Sequence, residues 1–149
     1  MTKVMTVIVA IEMMESLDTA TTITQSDIDT VWETGASSAN FEVGEAVTYY
    51  DLLLGAILPS GADATRALAN NLCGGQEAFV DKMNETVKKL KLKDTNFVNT
   101  TGIHDPNHYT TVHDMALIVK YAVQAALGLT SSFIDLPTTV MISFSPTLS

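Results

Sequence analysis

The stretch that most limits what this chain can become runs from Leu52 to Leu72, where two apolar helical runs meet at Pro59-Ser60-Gly61. Pro59 has no backbone N–H to give, so a helix entering this stretch stops there, and Gly61 admits a positive φ that other residues resist. Asp63 stands where it can cap the helix that follows. A serine in such a turn is either a cap of no further consequence or a hydroxyl fixed for chemistry, since reaction rewards a group already held in the reacting geometry. The turn alone favours the plainer reading.

Composition removes several classes of function. With 8 basic against 17 acidic residues the formal charge is −9, which repels nucleic acid and anionic membrane surfaces, so neither is an expected partner. The 149 residues, 46% of them hydrophobic, suffice for one compact body with a core, and the expectation is a single unit over 1–149. Cys73 is the only cysteine, so no internal disulfide forms, and its simplest role is a small buried apolar group. The most apolar run, Val4 to Met14, is broken by Thr6 and Glu12 and falls short of the ~20 apolar residues that span a bilayer. It is led by Lys3 but followed by no small-residue cleavage site, so no export signal is expected within these residues.

Lys3 to Glu15 lacks glycine and proline and is apolar on nearly every face, the pattern of a helix buried on most sides. Thr19 to Thr24 is β-branched and predicts a short strand. Ser26 with Asp29 then reads as a hydroxyl cap and first-turn carboxylate for a helix to about Trp32. Gly35 to Asn40 is expected to be an exposed loop and Phe41 to Val47 extended. Thr48 and Asp51 repeat the capping pattern for a helix running to Leu58. The helix after Ser60 ends at Gly74-Gly75, and Gln76 to Leu90 is amphipathic, with Phe79, Val80, Met83, Val87 and Leu90 on one face. Lys93 to Tyr109 reads as a long ordered loop, a kind that is uncommon unless functional or pinned. Thr110 to Asp114 cap a helix over Met115 to Leu127 that Gly128 closes, and the tail from Thr130 has strand character without a partner. Five or six helices with scraps of strand result. His104, Asp105, His108, His113 and Asp114 cluster in sequence, but their spacing is not that of a compact metal site, and none is expected.

Taken in order, Asp51-Leu52-Leu53, Leu58-Pro59-Ser60-Gly61-Ala62-Asp63-Ala64, Phe79-Val80-Asp81-Lys82-Met83-Asn84, Thr95-Asn96-Phe97, Thr101-Gly102-Ile103 and His108-Tyr109-Thr110-Thr111 make Thr48 to Val123 resemble the serine-type D-alanyl-D-alanine carboxypeptidases. These are low-molecular-mass penicillin-binding proteins of the β-lactamase-like superfamily. That resemblance implies an α+β fold, here mostly helical: the helical subdomain and the helix of the first motif, with the central antiparallel sheet largely absent. It also implies three motifs, Ser-x-x-Lys, Ser-x-Asn and Lys-Thr-Gly, which together run an acyl-enzyme reaction without a cofactor.

Laid on this chain, Lys3 matches the general base of the first motif, whose nucleophilic serine would be the residue before Met1. Ser60 matches the proton-relaying serine of the second motif. Ala62 takes the place of its substrate-binding asparagine and cannot make the amide's hydrogen bonds. No Lys-Thr-Gly occurs in the chain; the resemblance puts it on a strand beyond Thr138 to Ser149. The expectation is an internal piece of a carboxypeptidase domain, inactive alone and prone to self-association through uncovered apolar faces. Implied partners are the D-Ala-D-Ala stem peptide of peptidoglycan and β-lactams, and the implied location is outside the cytoplasmic membrane. A module that has lost catalysis and keeps a binding role is the alternative.

Overall fold

A computed structural model describes residues 1–133. Six helices and one two-stranded sheet follow in the order α1 (Thr2–Met13), β1 (Ala20–Thr22), α2 (Gln25–Thr34), β2 (Ala46–Thr48), α3 (Tyr49–Ile57), α4 (Ala62–Cys73), α5 (Gln76–Lys89) and α6 (Val112–Phe133). The architecture is α+β and mainly helical. The strands are antiparallel, with Thr21 opposite Val47. The approach to a further strand expected over Thr138 to Ser149 lies outside the described residues.

The helix α1 is the axis of the body, in contact with α3, α4, α5 and α6. Met5, Ile8, Val9 and Ala10 are at most 3% exposed, so the unbroken apolar pattern of this helix does report burial on several sides. Thr6 is buried among them and needs a partner there; its hydroxyl donates to the Thr100 carbonyl at 2.8 Å. On α4, Ala62, Ala64, Ala67 and Ala69 are all fully buried, and these small side chains let α2 and α3 approach closely. On α5, Phe79, Met83 and Val87 face the core as their spacing predicts.

The local signals hold where they are self-contained. Thr48 and Asp51 form a reciprocal capping box on α3, and Gly74, at φ 75°, closes α4 in the left-handed conformation. Elsewhere the structure corrects them. The cap of α2 is Thr24 with Asp27, two residues earlier than Ser26 with Asp29, because Thr24 is still extended as it leaves β1 and its N–H and hydroxyl both reach the Asp27 carboxylate at 2.8 Å. Of the extended segment expected over Phe41 to Val47, only Ala46 and Val47 lie in a strand; Gly44, at φ 86°, turns the chain before it. Gly128 does not end α6, since a single glycine costs only about 1 kcal/mol in a helix. Cys73 is only partly buried, its thiol 3.8 Å from Met13 Sδ.

Asp63 is not a cap. Gly61 takes the N-cap position, and the Asp63 carboxylate, 1% exposed, accepts from Ser38 Oγ at 2.7 Å, Ala39 N at 2.8 Å and Ala64 N at 2.9 Å. It therefore holds the loop before β2 onto the start of α4, and Ser38 and Ala39 of that loop are partly buried where full exposure was expected. Replacing Asp63 with Ala strands the Ala39 N–H, and each hydrogen bond to a charged group is worth ~1.5–3 kcal/mol. Asp63→Ala should lower the unfolding free energy by about 2–3 kcal/mol in urea titrations and speed amide exchange in Ser37–Ala39 ahead of the rest of the chain.

Candidate active site

The turn between α3 and α4 is tighter than its sequence suggests. Gly61 has an ordinary φ of −68°; it is Ser60 that adopts the left-handed conformation, at φ 60°. A side chain on Gly61 would lie 2.8 Å from both the Gly55 carbonyl and the Ala39 N–H, so glycine is required there by close packing. With Gly61 N bonded to Gly55 O and Ala62 N to Ser37 O, the backbone on the far side of Ser60 is fixed. Ser60 is left exposed on a strained backbone, and among the described residues its hydroxyl makes no hydrogen bond. Strain of this kind, of order 1–3 kcal/mol, persists where surrounding structure imposes it, and it marks functional turns more often than idle ones.

Lys3, on the first turn of α1, lines the same cleft as Ser60, together with Ala56, Ile57, Thr101 and Gly102. Its Nζ donates to the Thr101 carbonyl at 2.6 Å, and partial burial lowers its pKa from the ordinary lysine value. No carboxylate forms an ion pair with it among the described residues. A half-buried amine without a counter-ion gives up its proton more readily than a surface lysine. Ala62 does not share this position: it is fully buried as the first residue of α4 and is not among the cleft's lining.

The loop between α5 and α6 supplies residues that the sequence did not single out. The Asn99 side-chain oxygen accepts from Gly102 N at 2.7 Å and Thr101 N at 3.2 Å, while its amide donates to Ile103 O at 2.8 Å. Gly102, at φ 85°, completes the turn, which aims the Thr101 carbonyl at Lys3. The Asn-x-x-Gly spacing was the available signal. The far end of the loop is pinned by Asp114, whose buried carboxylate accepts from Thr95 Oγ1 at 2.7 Å and Asp94 N at 3.0 Å; the bond from Thr95 is the main reason its pKa is lowered.

His108 connects this loop to α1. Its Nδ1 accepts from Val98 N at 3.2 Å, so in the neutral ring Nε2 carries the proton and donates to Thr2 Oγ1 at 2.7 Å. Thr2 adjoins Lys3, and the imidazole so fixes the start of α1. Among the described residues no three His, Cys, Asp or Glu side chains gather closely enough to hold a metal ion, and none of the described helices is long and apolar enough to cross a membrane.

Two helices that bring a desolvated amine and an unbonded serine hydroxyl to one cleft are the helical portion of the penicillin-binding, DD-peptidase fold. Crystal structures of the Streptomyces K15 DD-transpeptidase (TM-score 0.79, 35% identity, 83% of this chain and 50% of that one) and of penicillin-binding protein 5 from Haemophilus influenzae (TM-score 0.78, 33% identity, 83% of this chain and 37% of that one) match it in part. The D-alanyl-D-alanine carboxypeptidase family model matches residues 1–135, and the Bacillus subtilis D-alanyl-D-alanine carboxypeptidase DacF is 37% identical over 123 residues, 80% of this chain and 31% of that protein. The chain belongs to the D-alanyl-D-alanine carboxypeptidase family. It spans a third to a half of the length of these relatives.

Burial is the main cause that holds the His108 pKa below the ordinary 6.5, opposed by Asp105 and aided by the N-terminal ammonium. A depressed histidine pKa means that the unfolded chain takes the proton first. Its contribution to stability is therefore whole above pH 6.5 and is lost as pH falls below that value toward the folded pKa. Urea midpoints should decline over that window, and His108→Gln should flatten the decline. Equal slopes in the two proteins would show that another group carries it.

Proposed function

We propose that residues 1–149 supply the general base and the proton-relay serine of a serine-type D-Ala-D-Ala carboxypeptidase that trims peptidoglycan stem peptides outside the cytoplasmic membrane. The observation that carries this reading is that Lys3 and Ser60 face one cleft, the first half-buried without a counter-ion and the second with its hydroxyl uncommitted. The family's acyl-enzyme reaction also calls for a nucleophilic serine three residues before the lysine and a Lys-Thr-Gly strand. Neither Ser-x-x-Lys nor Lys-Thr-Gly occurs within the 149 residues.

In the completed site, the neutral Lys3 amine takes the proton of the nucleophilic serine as its oxygen attacks the penultimate D-Ala carbonyl. The tetrahedral intermediate collapses to an acyl-enzyme, and the departing D-Ala amine receives a proton through the Ser60 hydroxyl. A water molecule then adds to the ester carbonyl as it loses a proton to the same amine, and the adduct collapses to release the shortened peptide while the ammonium returns that proton to the serine oxygen. The Thr101 carbonyl orients Nζ and holds the amine in place between turnovers. β-Lactams enter as acylating mimics of the same peptide.

Ala62 favours a second reading, a binding module without catalysis, because the position that carries the family's amide presents only a buried methyl group. Labelled penicillin and intact-mass measurement separate the two. The 149-residue chain should acquire no adduct. A chimera in which these residues replace their counterparts in the Bacillus subtilis relative should be acylated, with Lys3→Ala and Ser60→Ala each slowing acylation by about 10²–10⁴-fold. A folded chimera that stays unlabelled decides for the binding module.

A further inference from the structure

A second cleft adjoins the loop at Thr101. Arg66, Gln76, Asn99, Glu33 and Asp105 line it, and Thr101 lines both this cleft and the one shared by Lys3 and Ser60. Arg66 projects from α4, and its Nε is fully buried without a hydrogen-bond partner. Among the described residues the guanidinium makes no ion pair either. The buried carboxylate on the facing helix, Asp27, is already bound by Thr24 and by Asn70 Nδ2 and leaves Arg66 alone. Gln76 is similarly half used: its side-chain oxygen accepts from Thr100 Oγ1 at 3.2 Å, while its NH₂ donates to nothing among the described residues.

A desolvated guanidinium N–H without an acceptor is costly, and native proteins rarely retain one that has no use. Two unfilled donors, one of them charged and planar, suit a carboxylate, which accepts from a guanidinium through two oxygens. Glu33 and Asp105 on the walls discriminate further, since they repel a multiply charged anion such as phosphate more than a single carboxylate, and they welcome a nearby ammonium.

We infer that Arg66 and Gln76 form a subsite for a carboxylate on the substrate peptide, away from the scissile bond and reached by the chain as it passes the Thr101-Gly102 turn. The substrate class is thereby an acidic or zwitterionic peptide in preference to its amidated form. The subsite rests on the acyl-transfer reading for its peptide but not for its chemistry, so the two can fail separately.

The binding arm uses the ¹⁵N-labelled 149-residue chain, with N-acetylglycine as the carboxylate probe, N-acetylglycinamide as its neutral twin and inorganic phosphate as the polyanion. N-Acetylglycine should shift the Arg66 Nε–H and Gln76 side-chain amide resonances saturably, the amide should not, and phosphate should bind more weakly. Arg66→Gln should weaken binding at least tenfold; Gln76→Leu, which leaves α4 untouched, should weaken it about threefold and keeps the test intact if the arginine variant misfolds. Equal shifts from acid and amide, or tighter binding of phosphate, overturn the subsite. In the chimera, kcat/KM for an acyl-donor peptide with a free side-chain carboxylate should exceed that for its amidated counterpart, and Arg66→Gln should remove the preference. An acylated chimera that never distinguishes the two peptides overturns the subsite, whereas carboxylate binding in a chimera that is never acylated sustains it and removes only the acyl-transfer reading.

Discussion

Burial of α1 is the constraint from which the rest follows. A helix this apolar has no stable place at a surface, and enclosing it among α3, α4, α5 and α6 removes Met5, Ile8, Val9 and Ala10 from water almost completely. At about 25 cal/mol per Å² of apolar surface, covering these side chains is among the largest single gains available to the chain. It also fixes where the first turn of the helix emerges. Thr2 and Lys3 leave the core at the cleft and cannot be elsewhere while the helix stays buried. The position of the amine is thus a consequence of packing two to seven residues further along.

What packing does not position, buried polar groups do. Asp63, Asp27 and Asp114 are each at most 3% exposed, and each accepts hydrogen bonds from a segment distant in sequence or from a helix start. A buried carboxylate is tolerated only when its oxygens are occupied, so each of the three commits a loop or a neighbouring helix to one arrangement. Asp63 brings Ser38 and Ala39 to α4; Asp114 ties Asp94 and Thr95 to α6. The cleft is bounded by loops, yet its walls are set by these anchors and are as fixed as the helices.

This division explains how much could be read beforehand. Elements whose signal is contained in a few residues were legible: the Thr48–Asp51 box, the stop at Gly74 and the amphipathic face of α5. The start of α2 was not, because Thr24–Asp27 and Ser26–Asp29 offer two overlapping registers, and the geometry of β1 decides between them. The role of Asp63 depended on a loop 25 positions away, and the His108–Thr2 bond on a separation of 106, neither of which has a local trace. Lys3 and Ser60 were singled out only through family resemblance; in isolation one is a terminal lysine and the other a turn serine. Arg66 gave no warning, because an arginine on a helix ordinarily faces solvent.

The turn at Thr101-Gly102 joins these threads. The Thr101 carbonyl accepts from Lys3, and Thr101 also lines the cleft of Arg66 and Gln76. Thr100, next to it, has its carbonyl bound to Thr6 in the core and its hydroxyl bound to Gln76. A displacement of this turn therefore acts on the amine, on the core of α1 and on Gln76 together, and none can adjust independently. Rigid coupling of that kind matters for any group placed for chemistry, since a shift of 1 Å in a reacting group can cost about a hundredfold in rate. The side chain of Asn99, which closes the turn with four hydrogen bonds, has leverage over the Thr101 carbonyl although no hydrogen bond joins it to Lys3 or Ser60.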